Sequence, residues 1–208
     1  LITQLRPSHL LHLAWDVEHG AYLTSLNNFR WVQASIQLLD NFYHHGGQRA
    51  IFAGTCAEYD WRYGYFVENL HSLSDNSPYA ACKSSLYRMV TSYAKQTQLS
   101  LAWGRIFFPF GPREHSARLV PYLIRTLMQD QIAETTSGEQ IRDFMYVKDV
   151  ASAFIALLQS DVQGAVNIAS GDPIRMKDII LSIAHKLGKT DKVRLGARPD
   201  GNQPPMIV

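Results

Sequence analysis

Tyr79 and Lys83 carry a phenol and an ammonium four residues apart, in the segment Tyr79-Ala80-Ala81-Cys82-Lys83. On a helix, residues at that spacing share a face, with Cβ atoms about 5–6 Å apart. A cation that close favours the phenolate and draws a tyrosine down from its ordinary value of about 10. A tyrosine tuned in this way can take a proton from, or give one to, an alcohol or sugar oxygen. Alone the pair is a weak signal, because a solvated helix face produces it too. Thr55 strengthens it by following directly on the apolar run Arg49 to Gly54 (RAIFAG). In an open parallel sheet, ligands gather beyond the carboxyl ends of the strands. A hydroxyl there can share a hydrogen bond with a substrate oxygen and the Tyr79 phenol; its plainer reading is a local cap or turn.

The elements that must hold these groups alternate between short apolar runs and helical periodicity. His9 to Ala14 (HLLHLA), Arg49 to Gly54, Leu99 to Phe107 and Ala165 to Ile168 read as strands. Leu23, Leu26, Phe29, Val32, Ile36 and Leu39 recur at intervals of three and four, which predicts a helix over residues 22 to 45 that Gly46-Gly47 stops. Pro78 suits the first turn of a helix running to about Lys95, since its missing N–H is not needed there. Further helices are predicted over Ala117 to Gln129, Val147 to Leu158 and Met176 to Leu187, with Asp143 to Tyr146 extended. Strands alternating with helices argue for β-α-β units on a parallel sheet. The Pro109-Phe110-Gly111-Pro112 segment breaks the alternation and suggests a boundary near residue 110.

Composition sets the outer limits. Of 208 residues, 46% are apolar and 18% charged, as in ordinary globular chains. The formal charge of +2 gives no reason to expect nucleic acid or an anionic membrane as partner. No apolar run approaches the roughly 18 residues of a membrane span. Two cysteines, Cys56 and Cys82, without C-x-x-C or His-x-x-x-His spacing, point to a cytoplasmic protein with no metal site.

Read in order, six segments form a series. They are Pro7 to Trp15 (PSHLLHLAW), Thr55 with Tyr59 four residues on, the Tyr79/Lys83 pair, Arg105 to Pro112 (RIFFPFGP), Gln140 to Asp149 (QIRDFMYVKD) and Asn167 to Gly171 (NIASG). Over nearly the whole chain this series resembles an extended short-chain dehydrogenase/reductase of the NAD-dependent epimerase/dehydratase family. The resemblance implies an α/β fold: a Rossmann-like doubly wound parallel sheet, lacking its first strands, with a small C-terminal mixed α/β substrate lobe. Residues 1–110 would belong to the dinucleotide-binding domain. Residues 111–208 would form mainly the substrate lobe, with some segments returning to the first domain. Tyr79 would be the general acid/base, Lys83 would bind the nicotinamide ribose, and Thr55 would orient the substrate oxygen. Leu13, Ala14 and Trp15 would line the cofactor, NAD or NADP, and Phe107 would lie near the nicotinamide. Arg142 would clamp a phosphate of a nucleotide-sugar substrate, a role suited to a guanidinium fork; an ion pair with Asp143 or Asp149 is its other reading. A homodimer through a four-helix bundle, built from the helix of residues 22 to 45 and the Tyr79 helix, is implied as well.

The series also departs from the family pattern. The glycine-rich phosphate loop and the acidic residue that reads the adenosine ribose are not in the 208 residues, which suggests a preceding segment. Phe108 stands where the family has a substrate-binding Asn, so either the substrate sits differently against Phe108 or that contact moves to Arg113, Glu114 or His115. Cys56 and Ala57 stand where sugar 4,6-dehydratases carry Asp-Glu, which favours epimerisation or keto-sugar reduction over loss of water. The alternative to an enzyme is a non-catalytic binding or assembly subunit of the same fold.

Overall fold

The computed structural model describes residues 2–69 and 73–201. In chain order the elements are α1 (Ile2–Leu5), β1 (His9–His12), α2 (Asn27–His44), β2 (Arg49–Thr55), α3 (Pro78–Thr97), β3 (Ser100–Ile106), β4 (Phe108–Phe110) and α4 (Leu119–Met128). There follow β5 (Ala133–Glu134), β6 (Ile141–Arg142), β7 (Phe144–Tyr146), α5 (Val147–Gln159), β8 (Gly164–Ile168), β9 (Ile174–Arg175), α6 (Met176–Lys186) and β10 (Val193–Arg194). They fall into two compact units. One comprises Leu1–Asp60, Val67–Phe107 and Asp149–Ile168; the other comprises Trp61–Phe66, Phe108–Lys148 and Ala169–Val208.

In the first unit, β1, β2, β3 and β8 form one parallel sheet in that order, the Rossmann type expected. Strand residues point alternately to opposite faces. Ala50 and Phe52 of β2 and Leu101 and Trp103 of β3 share a core with Leu39 and Phe42 of α2 and Leu86 and Val90 of α3. Gly104 faces the other way, where a Cβ would come within 2.7 Å of the Phe154 ring on α5. Helices therefore cover both faces, and the apolar runs of β2 and β3 are continuous because both faces are buried.

One helix starts later than its periodicity suggests. α2 begins at Asn27, not at residue 22. The Asn28 amide donates to the carbonyls of Tyr22 (2.7 Å) and Ser25 (2.8 Å), holding residues 21–26 in turns. Leu23, Leu26 and Phe29 are exposed, and the buried face runs instead through Ser35, Leu39 and Phe42. The other predicted elements shift by a residue or two at their ends.

The second unit pairs β4 with β7 and β5 with β10 in parallel and β6 with β9 antiparallel. Its core joins Leu123 and Leu127 of α4, Ala133, and Ile180 and Ala184 of α6. Asp143, fully buried, accepts from the amides of Ser170 (2.7 Å) and Gly171 (2.8 Å) and from the Ser170 hydroxyl (2.9 Å). Among the described residues no helix is long and apolar enough to cross a membrane.

Candidate active site

The carboxyl end of β2 carries the first functional group. Thr55 ends the strand and caps the 3-10 turn Cys56–Glu58. Its hydroxyl accepts from the Ala57 amide (3.2 Å), while the Glu58 carboxylate accepts from the Thr55 amide (2.8 Å). This reciprocal capping box fixes the turn. Tyr79 lies in the first turn of α3, where Ser77 caps the helix by accepting from the Ala80 amide (3.2 Å) and Pro78 takes the first position.

The structure brings Thr55, Tyr79 and Lys83 together. A side-chain hydrogen bond joins Thr55 to the Tyr79 phenol. Lys83, one turn on, donates to the Ala53 carbonyl on β2 (2.9 Å) and lies 3.8 Å from the centroid of the Trp15 ring. Trp15 is held by donating to Asn28 Oδ1 (2.7 Å), and Tyr22 packs edge-on against Tyr79 at 4.9 Å. Leu13 and Ala14 are exposed just beyond β1, and Phe107 is buried just beyond β3. In the second unit, Arg142 is 2% exposed, its guanidinium 5.0 Å from the Trp61 ring and 5.6 Å from the Phe108 ring. Phe108 thus packs on Arg142. Arg113, exposed and with φ of 71°, lines a shallow groove with Glu114, Arg125 and Met128.

Burial dominates the electrostatics. It pushes the Tyr79 phenol up, and the Thr55 hydrogen bond is the influence that opposes it. The lowering by Lys83 expected from the spacing is therefore not found; the ammonium is directed at Ala53 and Trp15. Burial also lowers Lys83 to about 7, against an opposing pull from Glu58. His12, stacked on Phe52 at 4.9 Å, is pushed down by burial and then by Lys83.

The Lys83 shift has a sign that can be tested. Between about 7 and its ordinary value of 10.5, the unfolded chain binds a proton that the folded chain does not, so this residue makes stability rise with pH. Below that window the burden of the buried charge is complete. Lys83→Met removes it. The thermal midpoint of the variant relative to the parent is expected to be most favourable at and below pH 7, by the equivalent of ~5 kcal/mol, and to converge on the parent toward pH 10.5. A difference that is constant across this range in thermal melts would contradict the assignment.

Sequence reasoning overlooked Glu58. Its carboxylate is fully buried and also accepts from Trp103 Nε1 (2.9 and 3.0 Å) and Arg105 Nε (2.9 Å). The signal was present as the Thr-x-x-Glu spacing of a capping box. Arg105 in turn donates to the Tyr59 hydroxyl (2.9 Å), which donates to Asn167 Oδ1 (2.7 Å). Cys56 and Cys82 are both buried and are not joined in a disulfide. Among the described residues, no group of three or more His, Cys, Asp or Glu could hold a metal ion.

A model of the NAD dependent epimerase/dehydratase family matches residues 1–169, most of the chain. The chain belongs to this family. It is 27% identical over 191 residues to a UDP-glucuronate 4-epimerase of Thermodesulfobacterium geofontis, covering 89% of this chain and 58% of that protein. It is 36% identical over 85 residues to UDP-glucuronic acid decarboxylase 1 of Xenopus tropicalis, covering 39% of this chain and 20% of that one. The chain therefore spans less than two thirds of these relatives. Among solved structures, the UDP-N-acetylglucosamine 4-epimerase of Bacillus cereus superposes with a TM-score of 0.85 at 19% identity, covering all of this chain and 72% of that one. At that identity the likeness establishes the shared fold.

For an epimerase/dehydratase chain the nicotinamide end of a dinucleotide is the part to fit. The Lys83 ammonium has three donors, of which the Ala53 carbonyl takes one, leaving capacity for a ribose diol. Leu13 and Ala14, the two residues before Trp15, are exposed beyond the end of β1. The residues present fit the nicotinamide ribose; the pyrophosphate loop is not among the 208.

Proposed function

We propose that this chain carries the proton-transfer residues of an NAD(P)-dependent enzyme that epimerises a nucleotide-activated sugar or reduces its keto form. One observation carries the reading: the Thr55 hydroxyl, the Tyr79 phenol and the Lys83 ammonium lie in sequence at the carboxyl end of β2. The sugar-nucleotide class is supported by the relatives, which include a UDP-glucuronate 4-epimerase.

In this reading Thr55 orients the sugar oxygen and Tyr79 gives or takes its proton. Lys83 holds the nicotinamide ribose, Leu13, Ala14 and Trp15 line the cofactor, and Phe107 lies near the nicotinamide. The cofactor, NAD or NADP, supplies or accepts the hydride. Arg142 binds a substrate phosphate, stiffened by its aromatic neighbours, and Arg113 and Phe108 complete the substrate contacts. Cys56 and Ala57 follow Thr55 and offer no acid for eliminating water at neutral pH, which favours epimerisation or reduction over 4,6-dehydration.

The reading includes a cytoplasmic homodimer packed through α2 and α3, and the exposure of Phe29 and Met89 on those helices supports such a contact. The natural protein carrying this sequence should turn over at least one of the UDP-, dTDP-, GDP- and CDP-sugars, followed by nicotinamide absorbance and product identity. Inertness toward all four classes with both cofactors would reject the reading, and a monomer by light scattering would reject the dimer.

A further inference from the structure

The geometry points to Glu58 as a positioning residue of this site, one that fixes the Thr55 turn through the Thr55 amide and supplies the buried counter-charge for the Lys83 ammonium. The inference rests on the proposed roles of Thr55 and Lys83, and it adds a residue that contacts neither substrate nor cofactor.

Two strands are shaped around this one carboxylate. Trp103 and Arg105, successive inward residues of β3, both donate to it. Gly54 leaves it room: a Cβ there would stand 2.7 Å from Glu58 Oε1 and collide with the Trp103 indole. Glu58 and Arg105 are 0% and 1% exposed, so the pair is desolvated on both sides. A buried ion pair of this kind is seldom retained for stability, since well-packed apolar residues of similar volume are often as stable or more so. Its position offers a different reason. The carboxylate grips the amide of Thr55, and Thr55 bonds the Tyr79 phenol. The Ala53 carbonyl that receives Lys83 lies two residues earlier on the same strand. Glu58 thus reaches both the residue that orients the sugar oxygen and the strand segment that seats the ammonium.

The titratable groups around Lys83 are His12 from β1, Glu58 from the turn after β2, and Tyr79 on its own helix, with Tyr22 and Cys56 beside the phenol. His12 is held neutral by burial, so Glu58 is the anion that opposes loss of the Lys83 proton. Without it the ammonium would discharge at lower pH.

The test uses the whole protein labelled with 13C-lysine, with the Lys83 signal assigned by its loss in Lys83→Met. In Glu58→Gln, which keeps an oxygen to accept from the Thr55 amide, the Lys83 titration midpoint is expected at least about one pH unit below the parent's. In Glu58→Asp, which keeps the charge but shortens the reach, the midpoint should stay closer to the parent's. There kcat should fall about tenfold as the Thr55 turn loosens, with KM little changed. If Glu58→Gln alone leaves Arg105 too poorly paired to fold, the double variant Glu58→Gln, Arg105→Gln should still lower the Lys83 midpoint, by less, because a cation leaves with the anion. A midpoint unmoved in the folded variant overturns the proposal. The titration needs no substrate, so failure to find a nucleotide-sugar activity would reject the proposed function without touching this result.

Discussion

Tyr79→Phe is expected to lower kcat by about 10³-fold while leaving cofactor affinity within a factor of a few of the parent. The change deletes one oxygen. The ring keeps its edge-on packing against Tyr22 at 4.9 Å and against Trp15 at 6.4 Å, and the Tyr79 amide still donates to the Leu23 carbonyl (3.2 Å). Lys83 keeps its bond to Ala53, so the proposed ribose-binding end is untouched. What disappears is the acid/base and the partner of Thr55. Burial holds the phenol protonated well above neutrality, so in the proposed reaction the parent stores the acid form for delivery to a keto-sugar oxygen. The opposite direction needs the phenolate, which the Thr55 hydrogen bond favours. Oxidation of the sugar should therefore quicken with rising pH in the parent, and the variant should show neither the rate nor that slope. Steady-state kinetics with separate titration of cofactor binding decides it; turnover unchanged in the variant would remove Tyr79 from the mechanism.

The parts of this site that were legible in the sequence are those with periodic or motif signals. β2 and β3 were visible as apolar runs because both their faces are buried, and α3 because Pro78 suits its first turn. The Thr55, Tyr79 and Lys83 positions were legible from the four-residue spacing together with the strand before Thr55 and the order of the motifs around them. The start of α2 was not legible, because the apolar spacing of Leu23 and Leu26 mimics a helix while the Asn28 side chain takes the carbonyls that would continue it. β5, β9 and β10 are two residues each, too short to have a period. The charged residues were the largest gap. Nothing in the sequence marks Glu58, Arg105 and Arg49 as buried, yet all three are, and only long-range pairing across strands reveals it. The same limit explains Tyr79: the four-residue spacing placed Lys83 nearby but could not tell that its ammonium turns toward Ala53 and Trp15.

Arg49→Met should destabilise the first unit by roughly 3–4 kcal/mol, lowering its thermal midpoint by about 10 °C. Arg49 opens β2 and is 5% exposed. Its guanidinium donates to the carbonyls of Leu158 (3.1 Å), Leu157 (2.7 Å) and Val162 (2.9 Å) and to the Ser100 hydroxyl. The first two carbonyls belong to the last turn of α5, whose final C=O groups have no helical partner. A fixed cation there satisfies them and complements the negative end of the helix dipole. Methionine fills the space of the stem and bonds none of them; the Leu157 carbonyl keeps its bonds from the Ser160 amide (3.3 Å) and hydroxyl (3.0 Å), while the carbonyls of Leu158 and Val162 lose the guanidinium. Arg49→Lys, with a point charge and no fork, should recover only part of the loss. A midpoint within a degree of the parent's would show that water or a local shift replaces the guanidinium. Arg49 and Thr55 stand at opposite ends of β2, about 20 Å apart along an extended strand. Stability and chemistry are thus separable on this strand. Below its lowered midpoint, Arg49→Met should keep the parent's kcat, and a folded variant with lost turnover would contradict that separation.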